Sequence, residues 1–137
     1  MSRFDPGREA SRGTQVIDQG RIVVVDDDRS ARVLLRTTLA LEGFDVRSFG
    51  EGAGALQALR QESADLVIVD MVMPGVSGLD LIEAVTEAHR GPIVVVSGVD
   101  AEKARVRALE VGADDFILKP PSAPDLVARV RAVLRRS

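Results

Sequence analysis

Three consecutive carboxylates follow a run of β-branched apolar residues in the stretch VVVDDDRS, residues 23–30. Asp26, Asp27 and Asp28 carry like charges that repel one another at such short range. They could form a solvated turn, the N-cap of a helix, a metal site, or a nucleophile with its acid. The choice depends on which other residues the fold brings to the same place.

Three more apolar runs end in a residue that could do chemistry. Asp70 ends DLVIVD, Ser97 ends PIVVVS, and Lys119 ends DFILK. Carboxylates gathered in a partly desolvated crevice stay ionised only where cations offset their charge. Lys119 supplies one positive charge, and a hard divalent cation would supply more. The available ligands are oxygen atoms without His or Cys, which favours Mg²⁺ or Mn²⁺ over Zn²⁺. A carboxylate nucleophile, a metal and a cationic clamp together make an aspartyl-phosphate site.

Strands and helices alternate along the chain from residue 21 onwards. Unbroken apolar triplets predict strands buried on both faces of a parallel sheet, and the alternating stretch FDVRSF predicts an edge strand. Apolar residues at helical spacing fill the intervals, with Gly43 and Gly112 as stop signals and Ser122 opening a capping-box pattern. The predicted strands are β1 (21–26), β2 (44–49), β3 (65–70), β4 (92–97) and β5 (115–119), and the predicted helices are α1 (around 34–39, stopped by Gly43), α2 (about 52–61), α3 (79–88), α4 (101–111) and α5 (122–134).

This alternation predicts an α/β fold, a doubly wound five-stranded parallel sheet of the flavodoxin-like type with helices on both faces. In such sheets, ligands bind outside the carboxyl ends of the strands. The predicted ends of β1, β3, β4 and β5 therefore bring the acidic run, Asp70, Ser97 and Lys119 to one edge. β2 ends in Phe49-Gly50 and is predicted to contribute no chemistry.

Length and composition bear on the domain organisation, the binding partners and the location of the protein. The 137 residues fit one domain, with residues 1–20 as a polar, aperiodic, flexible N-terminal extension and 21–137 as the folded domain. Cysteine is absent and the net charge is −3, so the sequence predicts no disulfides, no direct nucleic-acid binding and no membrane binding. No apolar run approaches the roughly 20 residues of a membrane span, and no signal peptide is visible, which predicts a cytoplasmic protein. His89 is predicted to lie on the surface.

The motifs VVVDDDRSARVLL, DLVIVDMVMPGVSGLDLI, PIVVVSG and ALEVGADDFILKP occur in this order over residues 21–136. Together they resemble the receiver domain of two-component response regulators. The most specific segments are the loop after the third predicted strand and the segment around the fifth. The end of the chain, GADDFILKPPSAPDLVARVRAVLRR, is similar to receivers of the winged-helix transcription regulators.

The resemblance implies a role for each matching residue. Asp70 would be the phosphoacceptor, and Asp26 and Asp27 would bind Mg²⁺ together with Asp70 and the backbone carbonyl of Val72. Lys119 would contact the phosphoryl group, with a cis peptide bond to the following proline. The remaining implied site residues are the two switch residues, Ser97 and Phe116.

The resemblance also implies partners. A histidine kinase or a phosphotransfer protein would donate the phosphoryl group, and the readout surface would be the α4-β5-α5 face. The similar subfamily dimerises through that face with ion pairs. By position, the expected pairs are Arg105 with Asp125 and Asp115 with Arg129.

Two other functions remain open from the sequence. VVVDDDRS also resembles the acidic motif of haloacid-dehalogenase-type phosphatases, in which Asp26 would be the nucleophile and Asp28 the acid, with Ser97, Lys119 and Asp114 or Asp115 in support. The second alternative is a receiver-like binding module that does not use phosphorylation. In the receiver interpretation, Asp28 is instead the N-cap or a first-turn residue of α1.

Overall fold

The computed structural model describes residues 20–70, 72–73, 76–98 and 101–136, so the predicted N-terminal extension lies outside the described residues except for Gly20. Five parallel strands form one sheet in the order β2-β1-β3-β4-β5, which confirms the predicted fold class and β2 as an edge strand. The strands are β1 (Arg21–Val25), β2 (Asp45–Phe49), β3 (Leu66–Asp70), β4 (Ile93–Ser97) and β5 (Asp115–Leu118).

The helices occupy the intervals that the sequence predicts, with ends that differ by a few residues. Gly43 has a positive φ of 99° just beyond α1, where a left-handed conformation that favours glycine ends the helix. The hydroxyl of Ser122 accepts a hydrogen bond from Asp125 N at 3.2 Å, which confirms the cap that begins α5. The helices are α1 (Arg29–Leu41), α2 (Gly52–Gln61), α3 (Gly78–Ala88), α4 (Ala101–Glu110) and α5 (Ala123–Arg136).

Alternate side chains of the central strands face two separate hydrophobic clusters. Val23 and Val25 of β1 point toward α2, α3 and α4, while Ile22 and Val24 point toward α1 and α5. Each fully buried aliphatic side chain stabilises the fold by about 1.5–3 kcal/mol. Because both faces of the sheet are covered, an unbroken apolar run is needed in each central strand. This packing holds the carboxyl ends of the strands level with one another.

After β3, a short antiparallel ladder pairs Val72–Met73 with Val76–Ser77 before α3 begins. The ladder begins two residues after Asp70, the last residue of β3. Among the helices of the described residues, none has both the length and the apolar character that crossing a membrane requires.

His89 is buried, so the prediction that it lies on the surface is wrong. Only 5% of the residue is exposed, and its Nε2 lies 3.1 Å from the carbonyl oxygen of Pro92. Gly91 leaves the space that the imidazole needs, because a Cβ at that position would come within 2.8 Å of the ring. The helix-end position suggested a solvated cation, but the turn from α3 into β4 folds the ring inward.

Acid is expected to destabilise the protein through His89. Burial lowers the pKa of His89, opposed by the hydrogen bond to Pro92 and by the charges of Asp65 and Asp114. The folded state therefore favours the neutral ring, and stability is lost as the pH falls from the unfolded-state pKa of about 6.5 toward the lower folded-state value. The loss is about 1.4 kcal/mol for every tenfold difference in proton affinity between the two states.

The measurement is urea unfolding of the wild type and of His89→Gln between pH 7.5 and 5.5. His89 is the single histidine of the chain, so the difference between the two curves isolates its contribution. The glutamine variant should show a smaller loss of stability over this interval. Equal slopes for the two proteins would contradict the prediction.

Candidate functional site

Asp26 lies at the carboxyl end of β1, and each of its polar atoms contacts another residue. Its N–H donates to the carbonyl of Phe49 at 3.0 Å, and its own carbonyl accepts from Nη1 of Arg32 at 2.8 Å. Oδ1 accepts from the N–H of Asp28 at 3.0 Å, and Oδ2 lies 3.1 Å from Nζ of Lys119. Only 1% of the residue is exposed. The position of this carboxylate is therefore set by β1, β2, α1 and the end of β5 together.

Lys119 bridges two buried carboxylates. Its Nζ lies 3.1 Å from Oδ2 of Asp26 and 3.1 Å from Oδ2 of Asp70, while its backbone N–H donates to the carbonyl of Ser97 at 2.9 Å. Burial by itself would lower the pKa of Lys119, but the hydrogen bonds and charges of the two aspartates outweigh it, so the pKa is raised. The ammonium group therefore stays charged at neutral pH. The Lys119–Pro120 bond is cis, as predicted.

Asp26, Asp27 and Asp70 form an acidic cluster. Each offers a carboxylate oxygen, and these three atoms lie within 4.8 Å of one another. Asp26 and Asp70 are buried, whereas Asp27 is exposed, so the cluster opens to solvent on one side. One lysine cannot offset three carboxylates. Moreover, the contact found for the buried Oδ2 of Asp26 among the described residues is the one with the ammonium group of Lys119. An all-oxygen set with excess negative charge fits a hard divalent cation.

The third aspartate of the run has a different role. Oδ2 of Asp28 accepts a hydrogen bond from the N–H of Ala31 at 3.3 Å, and the residue has extended backbone angles. This geometry confirms Asp28 as the N-cap of α1. Its carboxylate is therefore directed to the helix, while the first two aspartates face the cluster.

The two predicted switch residues are buried in neighbouring strands of the sheet. Ser97 ends β4, opposite Leu118 in the sheet, and is fully buried. Phe116 of β5 packs its ring into the hydrophobic cluster that also contains Ala108 of α4. Val72, two residues after Asp70, lies in the short antiparallel ladder. Its role as a carbonyl ligand stays a prediction.

The four residues predicted for dimer contacts lie on the face formed by α4, β5 and α5, and each of them forms an ion pair within the chain. Arg129 lies 3.3 Å from Asp115 and 3.0 Å from Asp125, while Arg105 lies 3.2 Å from Glu102. Asp115 and Arg129, which were predicted to pair between two copies, thus pair inside one copy, and the contacts between copies stay a prediction. The same region exposes three large apolar side chains, Val106, Leu109 and Leu118.

The phosphatase constellation does not assemble. The carboxylate of Asp114 accepts from the N–H of Ile93 at 2.8 Å, at the amino end of β4 and so at the opposite edge of the sheet from Asp26. Asp115 is paired with Arg129, and Asp28 caps α1. The general acid and the supporting carboxylates of that mechanism therefore point elsewhere.

Two contributors to the site were not predicted from the sequence. Arg32 binds the carbonyl of Asp26, and the end of β2, predicted to contribute no chemistry, supplies the Phe49 carbonyl that binds the Asp26 N–H. A signal for Arg32 was available: long side chains on a helix lean back toward its N-terminus, so an arginine in the first turn of α1 can reach the end of β1.

Known proteins similar to this chain give independent evidence of its family. The model of the family described as "Response regulator receiver domain" matches residues 22–131. Transcriptional regulatory protein CpxR of Escherichia coli strain K12 is 42% identical over 117 residues, which cover 85% of this chain and 50% of CpxR. The phosphate regulon transcriptional regulatory protein PhoB of Rhizobium meliloti is 42% identical over 120 residues, which cover 85% of this chain and 53% of PhoB. The chain thus spans about half the length of the curated relatives that it matches.

Solved structures agree with this result. A CheY-like response regulator receiver domain protein from Methanospirillum hungatei superposes with a TM-score of 0.78 at 28% identity, covering 85% of this chain and 94% of that one. NtrX from Brucella abortus superposes with a TM-score of 0.81 at 32% identity, covering 85% of this chain and 27% of NtrX.

Proposed function

The chain belongs to the response regulator receiver domain family, and from that premise we propose that it accepts a phosphoryl group on Asp70. The donor would be a histidine kinase or a phosphotransfer protein. The observation that carries the proposal is the buried carboxylate of Asp70, which faces the ammonium group of Lys119 and lies in reach of two further carboxylates. The domain is a signalling switch, and its chemistry would be limited to its own phosphorylation and dephosphorylation.

In the proposed transfer, a carboxylate oxygen of Asp70 attacks the phosphorus atom of the donor. The bond from phosphorus to the donor histidine nitrogen breaks, and its electron pair remains on the imidazole. Lys119 already lies between Asp26 and Asp70, so its ammonium group is in place for a phosphoryl oxygen. Ser97 would donate its hydroxyl to another oxygen. Mg²⁺, or Mn²⁺, held by Asp26, Asp27, Asp70 and the Val72 carbonyl, would offset the charge of the transferred group.

The proposed output is a shift between two conformations of the α4-β5-α5 surface. Ser97 and Phe116 stand in adjacent strands, so a hydroxyl drawn toward the phosphoryl group would leave space that the buried ring can occupy. A dimer through this surface would bury the exposed apolar side chains of α4 and β5. It would also require Asp125 to exchange its contact with Arg129 for one with Arg105 of a second copy.

The proposal includes a cytoplasmic location and an output carried by a longer protein. Two relatives are named as transcriptional regulatory proteins, and MtrA of Mycobacterium leprae, 44% identical over 117 residues, is named a DNA-binding response regulator. The matched segment covers 52% of MtrA. We therefore assign any contact with DNA to a part of the protein other than the receiver domain.

The test is phosphorylation with radiolabelled acetyl phosphate, with Mg²⁺ and with excess EDTA, followed by identification of the labelled aspartate. We expect label on Asp70, at least tenfold more of it with Mg²⁺ than with EDTA. Label on Asp26 would support the phosphatase mechanism and overturn the proposal. A protein that binds Mg²⁺ but takes up no label from acetyl phosphate or a kinase would support the phosphorylation-independent binding module.

A further inference from the structure

Arg32 contacts the acidic cluster from the side of the backbone. Its Nη1 donates to the carbonyl oxygen of Asp26 at 2.8 Å, across the first turn of α1. The peptide group that begins with this carbonyl continues to Asp27, the exposed carboxylate of the cluster. A donor at this point restrains the orientation of the peptide that joins the two aspartates.

The space for the guanidinium group is provided by β2. A Cβ built on Gly50 would lie 3.1 Å from Nη1 of Arg32, closer than an unstrained contact, so glycine leaves this space open. The preceding residue, Phe49, accepts the N–H of Asp26 at 3.0 Å. The end of β2 and the guanidinium group therefore hold the two sides of the Asp26 backbone.

Among the described residues, no side chain holds Asp27 as Arg32 holds Asp26. Asp27 is exposed, and no hydrogen bond of its side chain appears among those found in the described residues. Its position relative to Asp26 and Asp70 thus depends on the backbone between β1 and α1. A change in that backbone would separate the three carboxylate oxygens that now lie within 4.8 Å.

We propose that Arg32 is a positioning residue that fixes the Asp26–Asp27 peptide and so preorganises the carboxylates for a divalent cation, with Gly50 keeping its place open. Its charge alone would act in the opposite direction, because a nearby cation repels Mg²⁺. Positioning and charge therefore predict opposite signs when the arginine is removed. Partners outside the first coordination shell typically change metal affinity by 10–100-fold.

The experiment compares Arg32→Gln, Arg32→Lys and Gly50→Val with the wild type. Amide hydrogen exchange in metal-free protein reports the order of the turn, and calorimetric titration with Mg²⁺ reports affinity. Arg32→Gln should speed exchange of the Asp28 amide, which donates to Asp26, and weaken Mg²⁺ binding by about tenfold. Gly50→Val should do the same, because it displaces the guanidinium group while keeping its charge. Arg32→Lys should recover part of the affinity.

Arg36→Gln is the matched control, since it removes the same charge from an exposed position one turn further along α1 and should change neither measurement. Tighter Mg²⁺ binding in Arg32→Gln, or an unchanged Asp28 amide, would overturn the proposal. The inference rests on the proposed metal site, but hydrogen exchange is measured without metal or phosphoryl donor. A wild type that binds no Mg²⁺ would therefore contradict the proposed function, and the exchange data would still decide the role of Arg32 in the turn.

Discussion

Replacing Asp70 with Asn is expected to abolish phosphoryl incorporation from acetyl phosphate or from a kinase. The amide lacks the anionic oxygen that forms the new bond to phosphorus. Among the described residues, the other carboxylate paired with Lys119 is that of Asp26, which already accepts a hydrogen bond from the Asp28 N–H, so we expect at least a hundredfold decrease in label. Quantitative labelling under saturating donor measures the effect.

The same substitution should not destabilise the metal-free protein. It removes one of three clustered carboxylates and leaves Lys119 with Asp26, so the loss of one ion pair is set against relief of like-charge repulsion. Urea unfolding in EDTA should give a free energy of unfolding within about 1 kcal/mol of the wild type. In contrast, Mg²⁺ should raise the stability of the variant less, because one ligand is lost.

Asp80→Asn is the matched control for this prediction. Asp80 is exposed in the first turn of α3, so the change removes the same charge outside the cluster and should leave labelling intact. Persistent labelling of Asp70→Asn would show that another residue accepts the phosphoryl group. Partner binding that is identical in Asp70→Asn and the wild type under phosphorylating conditions would favour the phosphorylation-independent module.

The sheet and its active edge could be predicted because two physical rules act on short segments. Apolar triplets such as Val23 to Val25 fit only strands covered on both faces, and parallel strands bring their carboxyl ends to one edge. Lys119 and Asp70 are 49 positions apart in the chain, yet the rule places them together, and their atoms lie 3.1 Å apart. The residues that meet at the acidic cluster could thus be predicted from the strand ends.

Features that depend on tertiary contacts could not be predicted from the sequence. His89 occupies a helix end, which suggested solvent, but the space beside Gly91 buries its ring. Phe49 contributes through a backbone carbonyl, and no residue type signals that role. Asp28 was assigned correctly because a cap is a local feature, decided by residues three positions apart. A local feature such as a helix cap, and the residues that end buried strands, can be predicted from the sequence pattern, whereas side-chain burial in a turn is decided by elements distant in the chain.

Lys119→Met is expected to destabilise the metal-free protein by about 2–4 kcal/mol. The substitution removes the ammonium group from Asp26 and Asp70 and leaves two buried carboxylates without their common cation. The value lies toward the lower end of the cost for a broken buried ion pair, because the lysine side chain is 22% exposed and solvent offsets part of the loss. Urea unfolding in EDTA measures it.

Mg²⁺ should recover much of this stability, because a more negative cluster attracts a divalent cation more strongly. Ligand binding stabilises the folded state in proportion to the logarithm of its concentration over the dissociation constant, so the difference from the wild type should narrow as Mg²⁺ is raised. Phosphorylation should not recover: without the ammonium group the phosphoryl oxygens lose a fixed positive partner, an effect of about a hundredfold or more.

Two further variants separate charge from packing in this prediction. Lys103→Met changes the other lysine of the chain, which is exposed on α4, and should be neutral in both assays. Adding Asp26→Asn to Lys119→Met removes one of the two carboxylates that have lost the ammonium group and should restore stability in EDTA without restoring phosphorylation. If the single variant is as stable as the wild type in EDTA, the ion pairs of Lys119 do not hold the cluster together. If instead the double variant is less stable than the single one, Asp26 stabilises the turn through the hydrogen bond that it accepts from the Asp28 N–H by more than its charge destabilises the cluster.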